Sequence, residues 1–301
     1  MKRIISVLLC ASLLSALLVG CSSGKNDTGS DNQEKQIALE ITVDNHYSSF
    51  DEATKSAYKK LCNAVLAYES SVKFNIGLVD EINTLFYTSF PLYTLVKGID
   101  FAKDNSGVEI SYVYPQEEHK QRIEQFNNAV AEIMSECGYG KVSKNMYVLN
   151  VYSYLSQNIT IDGTTTTVLE TAVTKKGMSS TVSGLFEYLL LQSDIPASHV
   201  INVGENSLAS MISMAQLNGE MYYFDISSEI EKTDGKGLSY FAMNTQRAAD
   251  KDAKLTYTDG SEINELDNDY FGKLANCTDY KVEGNKVVAN CKGENFTFEL
   301  S

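Results

Sequence analysis

The stretch GMSSTVSGLFEYLLLQSDIPASHVINVGENSLASMISMAQLNGEMYYFD, residues 177–225, decides the fold. It opens with the small-residue turn Gly177-Met178-Ser179-Ser180, and apolar residues follow this turn at helical spacing. These apolar residues are Val182, Leu185, Phe186, Leu189 and Leu190. The spacing predicts a buried helix that ends near Ser193, with Ser179 or Ser180 as its N-cap.

The rest of this stretch predicts three strands. Residues 195–203 are typical of a turn that leads into a strand, and residues 210–217 and 220–226 are typical of two more. The last two strands are joined at Asn218-Gly219, a strong hairpin signal because both residues tolerate a positive φ. A helix, a strand and a hairpin in this order predict a compact α+β unit, which we place at residues 161–250.

Two further sections flank this unit. Residues 41–160 predict a mainly helical section, with a strand at Glu109–Tyr114 and a long helix from Gln116 that stops at Gly138. Residues 251–301 alternate apolar and polar residues in short runs, which predicts a small C-terminal β-meander. The expected fold class is therefore α+β throughout.

The N-terminus has the order of a secretory signal. Lys2 and Arg3 precede an apolar run that closes with Leu18-Val19-Gly20-Cys21, and we assign residues 1–20 to a signal peptide. The close of this run resembles the bacterial lipobox, in which the cysteine is diacylated and becomes the first residue of the mature protein. Residues 21–40 then predict a lipidated Cys21 and a polar, flexible tether. The alternative is ordinary signal cleavage with Cys21 as an incidental thiol.

The charge balance excludes one class of partner. The chain has 25 Lys and Arg against 39 Asp and Glu, a formal net charge of -14, so it lacks the basic surface that binds nucleic acid. We therefore expect contact with the membrane through the lipid, at the extracytoplasmic face of the cell membrane, and no contact with nucleic acid. Only three histidines are present, at positions 46, 119 and 199, so we expect no cofactor and no metal site.

The decisive stretch resembles the transglutaminase-like core, a papain-like fold with a Cys-His-Asp triad. That family has a Gly-x-Cys turn before a helix, Gly-Ile-Pro after it, a His-Ala-Trp-Asn strand and a Gly-x-Trp-Tyr-x-x-Asp return. This chain has Gly177-Met178-Ser179, then Asp194-Ile195-Pro196, and a return from Gly219 to Asp225 with Met221 in place of the tryptophan. Counting back from Gly219 places the family's histidine at Ser210. The resemblance covers about residues 160–245.

The resemblance implies the fold of the family without its catalytic residues. Ser179 stands at the nucleophile position, Ser210 at the base position, and only Asp225 keeps the residue type of the family. The family's mechanism needs a thiolate, an imidazole that takes its proton and a carboxylate that holds the imidazole. His199 does not replace the missing base in this interpretation, because a helix about 20 Å long separates it from Ser179. We therefore expect a pseudoenzyme with the vestigial triad Ser179, Ser210 and Asp225.

Two functions remain open at this point. The first is a non-catalytic surface lipoprotein that binds a cell-wall fragment, a peptide, a glycan or a partner protein in the former catalytic cleft. The second is an active, cysteine-protease-like acyl-transfer enzyme or peptidase in which Ser179 or Ser180 is the nucleophile. The absence of an aligned histidine weighs against the second function.

A cysteine pair lies in the predicted meander. Gly284 is midway between Cys277 and Cys291, so a three-residue loop at residues 283–285 would place the two cysteines opposite each other. A two-residue loop at Gly284-Asn285 would instead pair Cys277 with Lys292 and put the two thiols on opposite faces. We predict the three-residue loop and a cross-strand disulfide between Cys277 and Cys291.

Overall fold

The computed structural model of the protein describes residues 37–203, 210–251 and 253–301. The predicted signal peptide, the lipidated Cys21 and the tether up to residue 36 lie outside the described residues. The helices in the described ranges are α1 (Glu52–Leu66), α2 (Val79–Ser89), α3 (Gln116–Glu136), α4 (Lys144–Asn158), α5 (Val168–Thr174), α6 (Ser179–Leu191), α7 (Ile226–Thr233) and α8 (Thr245–Ala249). In this part of the chain, no helix combines the length and the apolar character needed to cross a bilayer.

Strands alternate with these helices along the chain. They are β1 (Ser71–Lys73), β2 (Val96–Phe101), β3 (Gly107–Tyr112), β4 (Thr160–Ile161), β5 (Lys176–Gly177), β6 (Ala197–Asn202), β7 (Ser210–Leu217), β8 (Glu220–Phe224), β9 (Leu255–Tyr257), β10 (Cys277–Glu283), β11 (Lys286–Cys291) and β12 (Glu294–Glu299). The mixture of helices with antiparallel sheets confirms the predicted α+β class.

Helix α6 lies at the centre and is buried on all sides. Every residue from Thr181 to Leu190 is buried, because α4, α5 and α7 pack around the helix and β6 and β7 cover its remaining face. A helix that is apolar around most of its circumference is stable only when neighbours enclose it in this way. The helix predicted from the spacing of apolar residues is thus confirmed, with an end at Leu191.

A four-stranded sheet in the order β8-β7-β6-β9 packs against α6. The predicted hairpin is present: β7 and β8 are antiparallel, with Ser213 opposite Phe224, and the turn residues Asn218 and Gly219 have φ values of 52° and 84°. Strand β9 pairs with β6, so residues 255–257 belong to this sheet and not to the C-terminal meander to which the sequence pattern assigned them.

The N-terminal section matches its prediction in part. Helices α1 to α4 make it mainly helical, the predicted strand near residue 110 is β3, and α3 begins at Gln116 as expected. Strand β3 pairs with both β1 and β2, so this section also carries a small antiparallel sheet that the sequence pattern did not indicate. Residues 37–301 pack as one compact unit, and the three predicted sections share one main hydrophobic core.

The C-terminal meander is confirmed, but its first loop is not as predicted. Glu283 pairs with Lys286, so the turn between β10 and β11 has two residues, Gly284 and Asn285. The predicted three-residue loop is therefore wrong. A β-bulge near Thr278 shifts the register by one residue and still places Cys277 opposite Cys291. Both cysteines are free thiols in the structure, and the disulfide stays a prediction.

Two buried polar side chains, Glu229 and Arg247, form hydrogen bonds with the segment that follows α7. The Glu229 carboxylate is fully buried and accepts hydrogen bonds from the Tyr152 hydroxyl at 2.7 Å and the Tyr240 amide at 2.8 Å. The Arg247 guanidinium donates to four backbone carbonyl oxygens in this region, those of Ser239, Phe241, Ala242 and Phe271. These bonds offset the desolvation of both charges and fix residues 239–242 beside the aromatic core.

Candidate functional site

The serine at the nucleophile position is the first residue of α6. The N-cap of α6 is Met178, and not Ser179 or Ser180 as the sequence pattern predicted. The Thr181 hydroxyl takes over the capping role, because it accepts a hydrogen bond from the Met178 amide at 3.1 Å. Among the described residues, neither serine hydroxyl has a hydrogen-bond partner.

The other two predicted triad positions lie at the ends of strands. Ser210 begins β7 opposite Asn202, and Asp225 follows the last residue of β8. The Asp225 carboxylate caps α7, accepting hydrogen bonds from the Ser228 amide at 2.9 Å and the Ser228 hydroxyl at 2.7 Å. Burial raises the pKa of Asp225. Within the described ranges, no hydrogen bond joins Ser179, Ser210 and Asp225, and the carboxylate serves as a helix cap.

A cavity of about 210 Å³ lies beside the first turns of α6. Its apolar lining comes from the end of α2, the chain that follows α2, and neighbouring side chains of α6 and β7: Tyr87, Phe90, Pro91, Tyr93, Tyr188, Leu191 and Met211. Its polar lining includes Ser180, Thr181, Glu187 and His199. Apolar walls with a few convergent polar groups are typical of ligand sites.

Glu187 and His199 belong to a buried cluster whose third member is Asp44. Asp44 precedes a 3-10 turn, Glu187 lies in α6 and His199 in β6, and the side chains are 1%, 2% and 13% exposed. His199 Nδ1 contacts Glu187 Oε2 directly and lies 3.9 Å from Asp44 Oδ2. One ligand atom from each of the three groups lies within 4.8 Å of the others. Chain segments far apart in sequence thus bring two carboxyl groups and an imidazole together.

Gly184 makes room for the His199 ring. A Cβ atom at this position would lie 3.1 Å from His199 Nε2 and 2.9 Å from Val168 Cγ2, closer than side chains pack without adjustment. Because Gly184 is four residues after Ser180, the imidazole lies about 6 Å along the helix from that serine. The expectation that His199 lies at the far end of α6 is therefore wrong. Strand β6 runs back along the helix and carries His199 to its middle.

The cluster favours uncharged side chains. Burial, followed by the neighbouring Glu187 carboxyl, raises the pKa of Asp44 to about 7. Burial also raises the pKa of Glu187 well above its usual range and lowers the pKa of His199. Although Glu187 Oε2 touches the imidazole, it has no hydrogen-bond partner among the described residues.

The two other histidines lie elsewhere and have structural partners. The His46 ring stacks on Tyr257 with ring centroids 3.7 Å apart, and its Nε2 lies 2.9 Å from Asp259 Oδ2 at the surface. His119 is buried, and its Nε2 donates to the Val65 carbonyl oxygen at 2.8 Å. Neither imidazole lines the cavity.

Sequence reasoning missed Glu187 and Asp44. Glu187 gives a usable signal, because it is the one charged residue between Ser179 and Leu191, in a helix whose composition predicts complete burial. A charge at such a position is costly unless it is neutralised or paired, so it marks a site of interest. Asp44 gives no such signal, since nothing in the surrounding sequence indicates that it is buried.

Comparison with known proteins gives only distant likenesses. No family model matches the chain, and no curated protein matches it. Among solved structures, the chain is similar to a proposed cysteine protease from Cytophaga hutchinsonii, at 15% identity and a TM-score of 0.29, over 44% of this chain and 47% of that one. It is also similar to a TGase, at 10% identity and a TM-score of 0.29, over 39% of this chain and 34% of that one.

A proposed protease from Parabacteroides distasonis is a third structural likeness. It is 11% identical over 40% of this chain and 29% of that one, with a TM-score of 0.25. The chain thus spans less than half the length of each of these proteins. TM-scores this low do not establish a common fold, and they leave the cluster and the cavity to be interpreted from their own chemistry.

We predict that the folded protein loses stability as the pH rises from 6.5 to 8. The pKa values of Asp44 and Glu187 in the folded protein are raised above those in the unfolded chain. The folded state therefore retains protons that the unfolded state has lost. For each retained proton, the free energy of unfolding decreases as the pH rises. The lowered pKa of His199 has the opposite effect, but only below its unfolded value near 6.5. Denaturant unfolding at several pH values should give a slope of about 1 kcal/mol per pH unit.

Two variants identify the source of this slope. Glu187→Gln should flatten it, because the amide cannot titrate. Asp104→Asn should leave it unchanged, because hydrogen bonds from Ser106 lower the pKa of this exposed carboxyl group and so keep its titration below this range. Equal slopes for the wild type and Glu187→Gln would contradict the assignment of the buried protons.

A second prediction tests the alignment with the family's triad. In the double variant Ser179→Cys with Ser210→His, the new thiol should have a pKa about 1–3 units below that of Ser179→Cys alone, because a neighbouring imidazolium stabilises a thiolate. The measurement is the pH dependence of alkylation at position 179, followed by mass spectrometry of that peptide. A thiol with the same pKa in both variants would mean that Ser210 does not occupy the base position.

Proposed function

We propose that this protein is a lipid-anchored lipoprotein on the extracytoplasmic face of the cell membrane, with a catalytically degenerate transglutaminase-like core that binds a ligand. The anchor is inferred from the lipobox-like close of the apolar N-terminal run, at Cys21. The short polar segment after it would let the folded unit, residues 37–301, stand away from the bilayer.

The observation that carries the binding role is the state of the vestigial triad. Ser179 replaces a thiol, Ser210 replaces an imidazole, and Asp225 is engaged as the cap of α7. A serine hydroxyl is far less acidic than a thiol and depends on a base for its reactivity. Because triad residues act as a unit, losing them costs many orders of magnitude in rate. The site therefore supports recognition better than covalent catalysis.

The cavity is suited to a small group of a larger ligand. Its volume of about 210 Å³ is below the usual range for whole drug-sized ligands, so it would accept one side chain or one sugar ring. Tyr87 and Tyr93 offer aromatic faces at its wall, and Glu187 and His199 offer hydrogen bonds inside it. A peptide, a glycan, a cell-wall fragment or a partner protein could each present such a group.

The alternative function is acyl transfer or peptide cleavage with Ser180 as nucleophile. One observation favours it: Ser180 and His199 line the same cavity, and Glu187 lies behind the imidazole as an orienting carboxyl group. The electrostatics of the cluster weigh against it. Burial raises the pKa of Glu187, which disfavours the carboxylate form that stabilises a protonated imidazole in such a triad.

The absence of turnover is the first prediction of this proposal. The purified chain should neither incorporate a fluorescent primary amine into casein nor cleave a mixed peptide library above the buffer rate. The variants Ser179→Ala, Ser180→Ala and Ser193→Ala should behave identically, the last being a serine at the opposite end of α6. Turnover that disappears in Ser180→Ala and persists in Ser193→Ala would overturn the binding role and establish the alternative.

The second prediction concerns the anchor. Replacing Cys21 with serine should move the protein from the membrane fraction to the soluble fraction, because one or two acyl chains supply the affinity for the bilayer. The matched control is Cys291→Ser, which removes a half-buried thiol of the meander and should leave the protein at the membrane. Equal membrane retention of Cys21→Ser and the wild type would contradict lipidation at this residue.

A further inference from the structure

The cluster of Asp44, Glu187 and His199 has the donor set of a metal site. Three separate segments of the chain supply one ligand atom each, and these atoms all lie within 4.8 Å of one another. From this convergence we propose that the three side chains bind one divalent transition-metal ion, such as Mn²⁺ or Zn²⁺, at the inner end of the cavity. This metal site is additional to the proposed binding role, and its test does not depend on that role.

The charge balance of the cluster supports a divalent cation. Asp44 and Glu187 are almost completely buried, and in the described part of the chain no lysine or arginine forms an ion pair with either carboxyl group. When both carboxyl groups have lost their protons and the imidazole is neutral, the three side chains carry a charge of minus two, which a divalent ion cancels. A buried charge requires compensation of this kind, whether by a proton or by a metal ion.

The Asp44 ligand atom is already held in place. Asp44 Oδ1 accepts a hydrogen bond from the His46 amide at 2.7 Å, and Oδ2 accepts one from the His199 amide at 3.0 Å. The Asp44 amide in turn donates to the Ser89 hydroxyl at 2.9 Å. Such outer contacts orient a carboxylate ligand before the ion arrives and leave a further lone pair on Oδ2.

Glu187 provides the second, independent indication of a ligand. Its carboxyl group is 2% exposed, and Oε2 touches His199 Nδ1 without an aligned hydrogen bond from any described residue. Buried polar atoms nearly always have such a bond, so an atom without one calls for an explanation. An ion bound by the Glu187 oxygen, the His199 nitrogen and Asp44 Oδ2 would satisfy it, with the first two atoms moving apart from their direct contact to admit the ion.

The surroundings leave coordination positions open. Glu187 and His199 line the cavity, so water or a ligand group can reach the metal from that side. Three protein ligands with an open position are the arrangement of reactive or ligand-binding metal sites, whereas structural sites are closed. Two oxygen ligands and one imidazole suit Mn²⁺ and Zn²⁺ better than soft Cu⁺ or the all-oxygen ions.

This inference departs from the sequence-based expectation of no metal. Three histidines in the whole chain weigh against a histidine-rich site, but a mixed site with two carboxylates needs only one. That one is His199, which strand β6 places beside the middle of α6.

The test uses the full chain with Mn²⁺ as the probe. Bound Mn²⁺ loses the sharp electron paramagnetic resonance signal of the free ion, so a titration gives both stoichiometry and affinity, and added Zn²⁺ should displace the ion. We expect one site per chain. Asp44→Asn and Glu187→Gln should each weaken binding by at least about tenfold, and Asp259→Asn, which alters an exposed carboxylate beside His46, should not.

A measurement on the wild type avoids variants that fold poorly. In protein labelled with ¹⁵N-histidine, Mn²⁺ should broaden the ring signals of His199 at ratios that leave those of His46 and His119 sharp, since paramagnetic broadening falls steeply with distance. Loss of Mn²⁺ binding in both variants, with selective broadening at His199, would support the site. Failure to bind Mn²⁺ or Zn²⁺, or broadening that begins at His46, would overturn it, whatever the result of the turnover assay.

Discussion

The enclosure of α6 is the constraint on which the rest of the structure depends. The helix supplies the inner wall of the core, and helices α4, α5 and α7 and the sheet strands β6 and β7 all pack against it. Phe186 on this helix contacts Tyr152 and Phe224, with ring centroids 6.3 and 5.4 Å apart, and so joins the helical section to the sheet. Each fully buried side chain of this size contributes about 1.5–3 kcal/mol, so few changes on any face of α6 are tolerated.

The same enclosure determines the surroundings of the one charged residue of α6, Glu187. A helix buried on all sides cannot turn a charged residue towards bulk water, and Glu187 therefore has to find its partners inside the protein. It finds them in His199 and Asp44, and the small Gly184 one turn earlier leaves the space that the imidazole ring needs. The shifted pKa values of all three groups follow from their burial together, which makes the cluster the most distinctive polar feature in the described part of the chain.

The cluster and the predicted nucleophile position, Ser179, occupy neighbouring parts of the structure along α6. Ser179 and Ser180 lie in the first turn of the helix. The cluster lies one to two turns further along, and the cavity extends from one to the other, since both Ser180 and Glu187 line it. A proposed binding role and a proposed metal site are therefore compatible, because the cavity gives a ligand access to the buried polar groups.

The sequence by itself determined the elements whose signals are local. The spacing of apolar residues from Val182 to Leu190 predicted α6, and Asn218-Gly219 predicted the β7–β8 hairpin, because each depends on neighbours within a few residues. Only the tertiary structure decided the rest. The bulge near Thr278 set the register of the cysteine pair, and the return of β6 along α6 brought His199 to Glu187. Asp44 lies in the same cluster although more than 140 residues of chain separate it from Glu187. No local sequence pattern indicates which distant groups a buried side chain will contact.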